Sequence, residues 1–176
     1  SGGHALYAKG GFSVKAEGLV NATGDVTVLQ NTTGGAVAAG MYTVGTKSVA
    51  MPYLAAGVMR LSGSRLRIEV AGFVVEGDFS FEKGSGGSGA EVIKVAATGI
   101  GLTLGDGTRD YVSVTGGEGA LLISDAGLAG RVDATVSLAN VPGVSLSGDF
   151  ELLINDTEGR VLESFTRGGE SIILDL

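Results

Sequence analysis

The chain has 176 residues, 44% of them hydrophobic, with 32 glycines, two prolines, no cysteine and no tryptophan. That length supports a core without metal or disulfide staples, the apolar content excludes a disordered tail, and zero cysteine excludes thiolate metal sites, thiol nucleophiles and disulfides while leaving export open. A net charge of −7 and a pI near 4.6 oppose phosphate backbones, so no nucleic-acid partner is expected.

No signal peptide opens the chain, and Ser1 with the glycines after it reads as an added tail or as the cut end of a longer chain. Asn21-Ala22-Thr23-Gly24 reads as a turn. The most apolar run, Val49 to Met59, contains Pro52 and is too short to cross a bilayer, so no membrane span is expected. Period-two alternation then dominates: Leu66, Ile68 and Val70; Phe73, Val75, Gly77, Phe79 and Phe81; Ile100, Leu102 and Leu104; Val132, Ala134, Val136 and Leu138. The longest such run is Val144, Leu146, Gly148, Phe150, Leu152 and Ile154. Polar residues fill the alternate positions, the pattern of antiparallel sheets with one buried side. Lys83 to Gly89 is a Gly/Ser-rich hairpin loop, and Asp106-Gly107, Asp125-Ala126-Gly127 and Asn155 to Gly159 are turns. No segment has a capped helical stripe. The fold expected is all-β, a mainly antiparallel sandwich or barrel-like arrangement of long curved strands, with a parallel β-solenoid as the rival. Gly77 and Gly148, in phase with the apolar face, mark bends or close backbone approach.

One block occurs twice. Gly24 to Val37 matches Gly148 to Val161 at seven of fourteen positions, an offset of 124. Phe12 to Ala16 falls on Val136 to Asn140 at the same offset, and Ser48 to Met51 falls on Ser171 to Leu174 with one residue dropped. Gly3 to Leu6 resembles Glu118 to Leu121 after a gap of about nine residues. The reading is a tandem array, with residues 1–52 the C-terminal part of one β repeat and residues 53–176 one complete repeat of about 124 residues. A shorter echo, Gly72 to Phe79 against Gly143 to Phe150, keeps open a single domain of two similar halves.

Reactive chemistry is sparse. Calcium is the one metal the acidic turns suggest, at Asp106 with Asp110 and at Asn155 with Asp156 and Glu158. Neither set supplies the six to eight oxygens calcium takes, and neither has EF-hand spacing, so solvated turns are preferred to a bound ion. His4, the lone histidine, has no acid–base partner near it in sequence, and no triad is expected. A glycosidase needs two carboxyls across a sugar-sized cleft, whereas Phe73, Phe79, Phe81 and Phe150 are in phase with the core. No catalytic residue and no organic cofactor are therefore expected. The Asn-x-Thr sequons at Asn21, Asn31 and Asn155 read as shared turn chemistry, with Asn tolerating a left-handed backbone.

Gly86-Gly87-Ser88-Gly89-Ala90-Glu91-Val92-Ile93-Lys94 resembles the calcium-binding RTX nonapeptide, with Glu91 at the acidic position and no second full copy. The repeated Gly-Asp-(Phe/Val)…Asn-x-Thr…Gly-x-Val block and the Val141 to Phe150 stretch resemble the tandem modules of very large secreted bacterial surface proteins, including RTX-type adhesins. That resemblance implies export, a bacterial surface or extracellular setting, and a spacer or adhesive role. It implies neighbouring repeats of the same chain as partners, with a cell-surface or glycan ligand as the alternative.

Overall fold

A computed structural model describes residues 2–16, 20–70, 73–85, 89–106, 108–167 and 170–176. Every regular element among them is a strand: β1 (Ala5–Ala16), β2 (Val20–Asn31), β3 (Gly40–Val44), β4 (Lys47–Met51), β5 (Met59–Val70), β6 (Phe73–Ser85), β7 (Glu91–Gly105), β8 (Asp110–Ser124), β9 (Gly127–Val141), β10 (Val144–Asn155), β11 (Leu162–Arg167) and β12 (Glu170–Asp175). No helix among them is long and apolar enough to cross a membrane.

Eight strands form one antiparallel sheet in the order β1-β2-β5-β6-β7-β8-β9-β10, open at both edges. β3–β4 and β11–β12 are separate hairpins. All strand pairs are antiparallel, which excludes the solenoid. The sheet is a meander of hairpins, as the alternating runs and short turns dictate. It passes the boundary expected near residue 52 without interruption, because β2 pairs directly with β5.

A crease runs across the sheet. The register shifts at Thr23/Asp25, Gly63/Leu66, Glu76/Asp78, Ala97/Ile100 and Thr115/Glu118, so neighbouring strands bulge at one level. Two expectations are corrected here. Asn21 to Gly24 is not a turn but the interior of β2, with Leu66 packed where a side chain on Gly24 would go. Gly148 makes no close approach, whereas at Gly77 (φ +145°) a Cβ would stand 3.2 Å from Ile100 Cα.

Ladder registry collects the apolar residues on one face. Ala8, Val28, Leu61, Phe81, Val95, Leu121, Gly130 and Ile154 stand opposite one another across all eight strands. Beyond the crease, Val14, Ala22, Ile68, Val75, Leu102, Val114, Val136 and Gly148 do the same. The sequence pattern implies that this side is buried. Instead Leu61, Phe81, Val132 and Leu152 are each about half exposed, because no described element lies over them. The compact core sits on the opposite face, where β11 packs on β7 and β12 on β8.

Candidate interaction surfaces

The two acidic turns lie at opposite ends of the sheet. Asp106 closes the β7–β8 turn. Its Oδ1 accepts the N–H groups of Thr108 (2.9 Å) and Arg109 (2.8 Å), and its Oδ2 accepts the Tyr111 hydroxyl (2.6 Å). Those donors hold the Asp106 carboxyl below its usual range, Tyr111 first, and Asp106 in turn raises the Tyr111 phenol. Asp110, at the start of β8, offers its backbone carbonyl to Asn140 (2.8 Å). Asn155 ends β10, and Asp156 and Glu158 follow it. Among the described residues no three His, Asp or Glu side chains converge as a metal cage.

Asn155 acts through its amide side chain. Its Oδ1 accepts Thr157 N–H (3.0 Å) and Oγ1–H (2.7 Å), its Nδ2 donates to Gly159 O (3.1 Å), and Thr157 Oγ1 also reaches Gly159 O (3.0 Å). Asn31 repeats this bond for bond with Thr33 and Gly35, at 3.0, 2.7, 2.8 and 3.0 Å. Neither asparagine has positive φ, so the side chain and not a left-handed backbone selects Asn here. Asn31 Nδ2 additionally reaches the carbonyls of Leu54 (3.2 Å) and Ala55 (3.0 Å), and the residue is buried, whereas Asn155 is exposed.

The correspondence extends upstream without a gap. Thr32 N–H donates to His4 O (2.8 Å) as Asp156 N–H does to Leu128 O (2.7 Å). The carbonyls of Thr32 and Asp156 cover Gly3 and Gly127, leaving room for no side chain. Gly3-His4 therefore corresponds to Gly127-Leu128, not to Glu118-Gly119. Downstream, Val37 pairs with Leu54 as Val161 does with Leu176. Val44 pairs with Lys47 as Arg167 does with Glu170, the register that the one-residue drop requires.

The hairpins differ in what they meet. β11–β12 clamps the sheet: Phe165 and Leu174 are buried against Val92, Ala96, Ala120, Leu122 and Ala129. Lys94 Nζ pairs with Glu163 (2.7 Å), donates to Ser164 O (3.3 Å) and sits 5.8 Å from the centre of the Phe165 ring. In sequence Val92 and Lys94 stand in the RTX-like run, Ala120 in the Glu118 to Leu121 match and Leu174 in the Ser171 to Leu174 match, but nothing there joins them as a clamp; the available signal is the short pair of apolar-containing runs at Val161–Phe165 and Ile172–Leu174. β3–β4 packs on no strand of the large sheet to a like extent. Its Tyr42 and Val49 are 42% and 48% exposed.

His4 is exposed and hydrogen-bonded through its ring to Gln30 (3.1 Å) and Thr32 (3.2 Å). The RTX-like run begins at 86–88, outside the described residues, and continues as the first residues of β7. No family model, curated protein or solved structure matches the chain.

Proposed function

We propose that the chain is a non-catalytic structural repeat module of a large extracellular protein, acting as a spacer or surface-exposed scaffold. The observation that supports this best is the turn built twice, with the same strand pair before it and the same hairpin after it, 124 residues apart on one continuous sheet. A strand meander that adds elements at its edges grows by repetition and needs no closing contact. The carboxylates near the sheet's ionic rows are engaged structurally, as with Arg60–Glu82, Arg131–Glu151 and Arg160–Asp175, so the chemistry is spent on self-packing. Export and a surface setting rest on the resemblance to large bacterial surface proteins.

A glycan-binding role is the second reading, favoured by one feature: Asp133, Asp149 and Glu151 line a hollow of about 300 Å³ across β9 and β10. The test extends the chain by one, two and three further 124-residue copies. Small-angle scattering should show a maximum dimension rising linearly with copy number, and immobilised glycans should not retain the protein. Copies tumbling independently on linkers, or retention abolished by Asp149→Ala, would overturn the scaffold reading.

A further inference from the structure

The clamp formed by β11–β12 reaches back past β9 to lie on β8 and β7. β3–β4 leaves the same turn, after the equivalent strands β1 and β2, and past β1 the sheet has no further strand. Hairpin register places Tyr42 at the position of Phe165, Val49 at that of Ile172 and Met51 at that of Leu174. Phe165 and Leu174 are 2% and 0% exposed. Tyr42 and the half-exposed Val49, at matching positions, have no such cover among the described residues.

We infer that the outer edge of β1 and the underside of β3–β4 together form a docking surface for the β7–β8 strand pair of another copy of the unit. The occupant would pair its β8 with β1, as β8 pairs with β9 here, and receive Tyr42, Val49 and Met51 on the face that carries Ala96, Ala120 and Leu122. The partner is set by continuity: the chain already contains this interface once, formed by its own segments. A second molecule of this chain does not offer the partner surface, because its β7–β8 face is already covered by β11–β12. The occupant is therefore a unit whose β7–β8 is still bare, joined ahead of β1. One contact is not reproduced: Gly40 occupies the place of Glu163, so Lys94 of the docked copy lacks that ion pair. The hydrophobic contacts alone must carry the clamp. The inference rests on the repeat reading above, and it adds where one unit grips the next.

The chain has no cysteine, so a single introduced thiol reports cleanly. Residues 53–126 are placed ahead of residues 3–176, so that Gly3 takes the position of Gly127. Val49→Cys reports the underside of the hairpin and Ala50→Cys its upper side. Val49→Cys should label rapidly in the 176-residue chain and at least about tenfold more slowly in the extended chain, as a thiol reached only by local opening does. Ala50→Cys should label rapidly in both. Met51→Cys repeats the measurement in case Val49→Cys weakens docking, and Ala96→Lys in the added block alone should restore rapid labelling. Equal reactivity of both underside thiols in the two chains overturns the inference, even if scattering shows a rigid rod and so upholds the scaffold reading. Protection already present in the 176-residue chain and rising with its concentration assigns the face to another occupant and overturns it as well.

Discussion

Asn31 and Asn155 hold identical turns, yet their surroundings separate what each contributes. Asn31 is buried, and its amide ties together three backbone carbonyls, those of Gly35, Leu54 and Ala55, while its carbonyl oxygen accepts twice from Thr33. Asn31→Ala strips a buried turn of all these side-chain bonds at once and should cost about 2 kcal/mol. Asn155→Ala should cost well under half of that, since water replaces the exposed amide; urea titrations of the two variants check the contrast. The Tyr111–Asp106 bond carries a pH signature. Its carboxyl is depressed in the folded chain, so its contribution is full above the ordinary carboxylate range of about 3.9 and disappears as pH falls through the folded value. The phenol is raised, so the same bond contributes below about pH 10 and is lost as pH rises through the phenol's folded value. Tyr111→Phe should bring the Asp106 carboxyl back up toward its ordinary value, as read by NMR titration of its side-chain carbon.

Between strands, the clamp is where burial is concentrated. Phe165→Ala removes the ring from the cluster of Val92, Ala96 and Leu122 and from beneath Lys94, and should destabilise the chain by about 3 kcal/mol by denaturant unfolding. The crease makes a sharper demand. Gly77→Ala forces a Cβ against the β7 backbone at positive φ and should cost about 2 kcal/mol, whereas Gly148→Ala meets only the Phe150 ring at 3.7 Å and should be close to neutral. Thermal melts of both variants test this. These elements also show what a sequence reveals. Strands such as Val144 to Asn155 were legible because two-residue alternation survives any tertiary context. The interior of β2 was misread, because Asn21-Ala22-Thr23-Gly24 has turn composition while its glycine serves a bulge. The clamp stayed hidden because β11 and β12 are six residues each, too short for periodicity, and because Lys94 and Glu163 are 69 residues apart. Acidic residues near one another in sequence raise calcium as the lesser alternative to solvated turns, and sequence spacing alone does not show that Asp106 caps its own turn.

At the scale of the whole molecule, the eight-strand apolar face and the flanks beyond β1 and β10 are left uncovered by the described residues. Alternation alone fixes which residues share a face; it is silent on whether anything covers that face. The sheet also has no closure, so each strand is held by its two neighbours and the edge strands by one. Amide exchange should therefore be slowest in β7 and β8, which have neighbours on both sides and the clamp above, and should quicken outward to β1 and β10. Uniform exchange across all eight strands, measured by mass spectrometry, would contradict that gradient.

The order of strands in the sheet has a bearing on biogenesis. From β5 to β10 every strand lies beside the one made just before it, and the turns between them are brief. Such a polypeptide can settle as it leaves the ribosome, each segment finding a ready template without waiting for distant residues. Within the sheet only β5 must reach back, over the β3–β4 excursion, to meet β2.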